Sequence, residues 1–84
     1  MGTIICTFRI LPDSMDHFEL LKDRLAGFRP MSLTEEPIAY GLKALIFKIA
    51  VPEKDGAIED MENKVAALEG VKESETISVS RALG

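Results

Sequence analysis

Apolar and polar residues alternate from the start of the chain. In residues 3–11 (TIICTFRIL), Ile4, Cys6, Phe8 and Ile10 fall on one side, with Thr3, Thr7 and Arg9 on the other. A period of two with one apolar side predicts a strand with a single buried face. Pro12 has no N–H to give to a ladder, so it is expected to stop the strand. The period then lengthens. Asp13, Ser14 and Asp16 offer N-cap oxygens, and Phe18, Leu21, Leu25 and Phe28 recur at helical spacing, which predicts a helix over 15–26. Gly27 is the expected C-cap, with Pro30 just beyond. Residues 31–36 read as a second strand, poor in apolar residues and so at an edge.

Residues 42–51 carry the strongest strand pattern. Leu45, Phe47, Ile49 and Val51 make one apolar face, and Leu42, Ala44, Ile46 and Ala50 leave the other mostly apolar too, as in the middle of a sheet. A turn at 52–56 (PEKDG) leads to a second helix over 57–68, with Ile58, Met61, Val65 and Leu68 as its inward stripe and Gly70 after it. Residues 75–83 alternate again, Ile77, Val79, Arg81 and Leu83 against Ser78, Ser80 and Ala82. The two helical stripes are offset by 40 positions, so the chain reads as two β-α-β halves. Right-handed crossovers then predict an α+β, ferredoxin-like βαββαβ fold: a four-stranded antiparallel sheet with both helices on one face. Strands one and three are expected at the centre, two and four at the edges, within one domain spanning 1–84.

Composition narrows the function classes. The 84 residues are 46% apolar and 29% charged, which suits one small globular domain. The apolar stretch 42–51 is interrupted by Lys43 and Lys48 and is about half the length of a bilayer span. No basic region followed by an apolar run opens the chain, so no signal peptide is expected. A single cysteine, Cys6, has no disulfide partner within the chain and fits a reducing, cytoplasmic setting. The formal net charge of −4, with Lys and Arg scattered, argues against direct nucleic-acid binding.

Candidate chemistry is sparse. His17 is the only histidine, too few for a two-histidine metal site, and its place near a helix start suggests a surface role. Cys6 falls on an apolar strand face and reads as a small buried hydrophobe. The acidic groups Glu35/Glu36, Glu53/Asp55 and Glu59/Asp60/Glu62 lack the carboxylate and glycine spacing of a calcium loop and read as solvated faces. No phosphate-binding loop, dinucleotide fingerprint or nucleophile elbow occurs. An acylphosphatase would need a glycine-rich anion loop after strand one, where this chain has L-P-D-S-M-D. No catalytic residue, cofactor or metal is expected.

One loop stands out. Between the second and third strands the chain reads EEPIAYGLKAL (35–45), with Pro37 and Gly41 as turn residues but Ile38, Ala39 and Tyr40 between them. Surface loops are ordinarily polar. Two readings stay open from spacing alone. Ile38 and Tyr40 pack on the edge of the core, or Tyr40 stands at the tip as an aromatic anchor for a pocket on a partner.

This loop and the strand after it resemble the exchange domain of translation elongation factor 1-beta, above all its short archaeal form. Supporting matches are Leu11-Pro12-Asp13 at the end of strand one, A-A-L-E-G-V at 66–71 and I-S-V-S-R-A-L at 77–83. The resemblance implies a guanine nucleotide exchange factor, not an enzyme. It would promote GDP release from the elongation factor 1-alpha type of GTPase, in the cytoplasm, as a free monomer that pairs with its GTPase. In related members an aromatic in this loop inserts into the nucleotide-binding domain of the GTPase. Tyr40 matches that position, with Ile38, Gly41 and Lys43 around it. Eukaryotic relatives also place a lysine next to last in the chain, near the magnesium. Aligned through Ile77 and Leu83, that position is Ala82 here, with Arg81 beside it, so the partner-binding set is Ile38, Tyr40, Gly41, Lys43, Arg81 and Ala82. The alternative is a ferredoxin-like regulatory or assembly module that binds a metabolite or a second copy of itself.

Overall fold

The computed structural model describes residues 2–82. Its elements follow the predicted order: β1 (Thr3–Pro12), a short 3-10 turn (Met15–His17), α1 (Phe18–Ala26), β2 (Ser32–Pro37), β3 (Lys43–Pro52), α2 (Ala57–Ala66) and β4 (Val71–Arg81). The strands form one four-stranded sheet in the order β2-β3-β1-β4, and every neighbouring pair is antiparallel. This is the ferredoxin-like α+β arrangement, with β1 and β3 central.

The core lies between the sheet and the helices. Cys6, Phe8 and Ile10 of β1 and Leu45, Phe47, Ile49 and Val51 of β3 share it with Phe18, Leu21 and Leu25 of α1 and Val65 of α2. These are the period-two and period-3.6 stripes legible in the sequence. Phe8 and Phe47 stand opposite one another in register with ring centroids 6.0 Å apart, and Phe28 meets Phe47 edge-on at the same separation. Such tilted and edge contacts are the favoured aromatic geometries. Cys6 is fully buried, and desolvation, followed by the nearby Glu62 charge, pushes its thiol above the ordinary value. A thiol so placed stays protonated and packs as a hydrophobe.

Several boundaries differ from the sequence expectation. Residues 15–17 form a 3-10 turn rather than α-helix, because the Ser14 side chain accepts a hydrogen bond from the Asp16 N–H (3.1 Å), two residues on. The α-helix begins at Phe18, the first residue of its stripe to be buried. Gly27 caps α1 in a right-handed conformation, and Arg29, just before Pro30, takes the left-handed one. Helix α2 ends at Ala66, and a turn carries Leu68 back over the core before Gly70 reverses the chain at φ +99°. Pro12 does not stop β1 short but closes its ladder opposite Val71.

Strand β4 begins at Val71, four residues before the alternation suggests. After Val71, which packs against the core, residues 72–75 (KESE) are polar, as suits a strand at the edge of the sheet. Two register shifts break its pairing with β1, leaving Ile77 and Lys72 as the extra residues. Leu83, expected in this strand, lies outside the described residues. No helix among the described residues is long and apolar enough to cross a membrane.

Candidate functional site

The residues between β2 and β3 form a closed reversal. Ile38 N–H donates to the Leu42 carbonyl at 2.9 Å, and Leu42 N–H donates to the Ala39 carbonyl at the same distance. The two central residues of the inner turn, Tyr40 and Gly41, both have positive φ, +55° and +77°. That is the pattern of the mirror-image turn whose twist suits a hairpin, and Asn-Gly is its favoured filling. Gly41 meets the requirement without strain. A Cβ there would touch nothing within 4 Å, so the glycine serves the backbone conformation and not a close approach within the domain. Tyr40 meets it at a cost, since an aromatic residue in the left-handed region is strained by about 1 kcal/mol or more.

The strain brings the tyrosine no packing. Tyr40 is 100% exposed, so of the two readings of its role, packing on the core edge is excluded. Ile38 and Leu42, at the base of the turn, are 41% and 48% exposed. Three apolar side chains thus stand in water within five consecutive residues, and an apolar cluster at a loop tip marks a contact surface.

Charges hold the base of this loop. Glu35 on β2 accepts hydrogen bonds from Lys22 Nζ of α1 (2.7 Å) and Lys43 Nζ of β3 (3.0 Å). The Lys22 hydrogen bond, then that of Lys43, holds the Glu35 carboxyl below the ordinary carboxylate range, and Glu35 in turn raises Lys22. Glu36 points to the opposite face and pairs with Arg9 at 3.0 Å. The acidic pair is therefore not simply solvated: each carboxylate ties the β2 edge to a neighbouring element. Lys43 Nζ also sits 6.0 Å from the centre of the Phe18 ring.

The remaining site residues lie elsewhere. β1 and β4 run antiparallel, which puts Arg81 opposite Ile4 and Ala82 N–H on the Thr3 carbonyl at 2.8 Å. That is the start of β1, whereas the Tyr40 loop sits beyond its end, a strand length of about 30 Å away. Arg81 is ion-paired with Glu53, a contact made by proximity without good hydrogen-bond angles. The structure brings Ile38, Tyr40, Gly41 and Lys43 together and sets Arg81 and Ala82 at the other end of the sheet.

Three residues near the loop escaped the sequence reading: Arg9, Leu11 and Lys72. With Pro12, Ile38, Leu42 and Lys43 they line a cavity of about 360 Å³ under the turn. They come from strands distant in sequence, and only sheet register joins them.

Fold and site together define a class: a ferredoxin-like domain whose most exposed apolar feature is an aromatic on a closed hairpin turn. Residues 7–82 match the EF-1 guanine nucleotide exchange domain, and the chain belongs to that family. It is 34% identical to elongation factor 1-beta of Methanosarcina barkeri, over 96% of this chain and 99% of that protein. Elongation factor 1-beta of Sulfolobus acidocaldarius is 37% identical, over 93% and 94% of the two chains. That of Methanothermobacter thermautotrophicus is 33% identical over 99% of this chain and all of its own.

Proposed function

We propose that this protein is a guanine nucleotide exchange factor that promotes GDP release from the elongation factor 1-alpha type of GTPase during protein synthesis. It makes and breaks no covalent bond. Its whole effect is a difference in binding: it holds the nucleotide-free GTPase more tightly than the GDP-bound form, and by linkage GDP is then held less tightly. It works in the cytoplasm as a free monomer and forms a one-to-one complex, with no direct nucleic-acid contact.

The observation that carries this reading is the fully exposed Tyr40 held at positive φ. A strained, water-exposed aromatic contributes nothing to the domain's own stability, and interface hot spots are rich in such anchors. The closed turn fixes the backbone in advance, so less freedom is lost on docking. Ile38 and Lys43 flank the anchor, and Gly41 gives the turn its shape. At the far end, Arg81 is engaged by Glu53 and Ala82 has no charge, so the burden of exchange falls on the Tyr40 loop.

The test is release of a fluorescent GDP analogue from the GTPase. Saturating protein is expected to speed release well beyond the spontaneous rate. Release at the spontaneous rate, whatever the protein concentration, would rule the function out.

A further inference from the structure

The cavity below the Tyr40 loop is lined by apolar side chains and by basic residues alone among the charged ones. Leu11, Pro12, Ile38 and Leu42 line it with Arg9, Lys43 and Lys72, and no carboxylate does, while the Lys43 ammonium itself turns to Glu35 and the Phe18 ring on the helix side. This is unusual for a chain of net charge −4. Two of the cations are already engaged, Arg9 by Glu36 and Lys43 by Glu35. Lys72 is in no ion pair among the described residues. It is the extra residue of the second β4 register shift, between Val71 opposite Pro12 and Glu73 opposite Leu11. Such bulges re-aim a side chain, and here the result is a lysine without an ion-pair partner lining the cavity beside the exposed turn. Glu73 and Glu75 lie next along the strand, opposite Leu11 and Arg9, yet neither lines the cavity.

We propose that this cavity is a second docking site of the same interface, which takes an acidic side chain of the GTPase flanked by an apolar one. The proposal rests on the exchange reading and extends it by naming the chemistry of the partner surface. The apolar side chains receive the aliphatic part, and Lys72 meets the carboxylate. A nucleic acid fits less well, because the cavity has no aromatic platform for a base and only one unengaged cation.

Titrating the GTPase with wild type and with Lys72→Ala, Lys72→Glu and Lys64→Glu tests this, with half-saturation of GDP release as the readout. Lys64 lies on α2 and gives a control for net charge. In about 50 mM salt, Lys72→Glu is expected to raise half-saturation roughly tenfold, Lys72→Ala less, and Lys64→Glu hardly at all. The differences should shrink in about 500 mM salt, where exposed charges are screened. If wild type speeds release but both Lys72 variants match it at low salt, the docking site is wrong and the exchange function stands. An equal effect of Lys64→Glu would overturn the site in favour of general charge steering. Weakened binding to a single-stranded RNA probe with unchanged half-saturation would overturn it in favour of nucleic acid. No acceleration by wild type removes the exchange function and this site with it.

Discussion

At Tyr40 the proposed function and the stability of the domain favour different residues. Its backbone angle suits Asn or Gly, and its ring touches nothing in the domain. Tyr40→Asn should therefore raise stability by about 1 kcal/mol, because strain is relieved and no packing is lost. In a domain of this size that corresponds to a rise of roughly 4–8 °C in Tm. The same variant should exchange poorly. A thermal melt showing a lower Tm would mean that the ring supports the fold after all. The sequence located Tyr40 in a loop but could not decide between core edge and solvent, since both have the same spacing. Backbone φ and exposure, which depend on the closed turn, decide it. Arg81 is a second residue the sequence left open: its partner Glu53 belongs to the β3–α2 connection, and only the pairing of β4 with β1 brings the two together.

Among the elements, those with a buried side were legible. The stripes of β1, β3, α1 and α2 became the core because each alternation or helical repeat had an apolar surface to cover. The edges were less legible. The polar start of β4 gave no pattern, and neither of its bulges leaves a mark in composition, so Lys72 could not be assigned to the loop end. The sequence suggests a solvated Glu35, whereas in the structure it joins α1, β2 and β3 through Lys22 and Lys43. This link carries a pH signature. The Glu35 carboxyl is held low in the folded state, so its contribution is present above the unfolded-state value and fades as pH falls through the lowered one. Lys22 is raised, so its share is full below the ordinary lysine value and is lost only in strong alkali. Glu35→Gln should accordingly lower the urea midpoint between about pH 6 and pH 9, with the gap to wild type closing below about pH 4. A gap that persisted unchanged into acid would show that the carboxylate charge is not what ties the elements together.

For the molecule as a whole, the sheet acts as a spacer. The molecule is 42 Å in its longest dimension, and the two sets of expected contact residues occupy opposite ends of the sheet. The family resemblance groups them in one partner-binding set, and the antiparallel order β3-β1-β4 separates them. Neither end can make up for the other by a local shift. One end carries the exposed aromatic and the cavity that Lys72 lines, and the other a paired arginine and an alanine; the proposed exchange role therefore falls to the first. Exchange should therefore respond far more to changes at the Tyr40 end than at the Arg81 end.

The most direct measurement is the concentration of protein that half-maximally accelerates release of a fluorescent GDP analogue, compared between wild type and Tyr40→Ala. Truncating an interface aromatic costs about 2 kcal/mol or more, so half-saturation should rise roughly thirtyfold while the variant folds as wild type does. Equal half-saturation by a well-folded Tyr40→Ala protein would mean that the exposed tyrosine has no part in exchange.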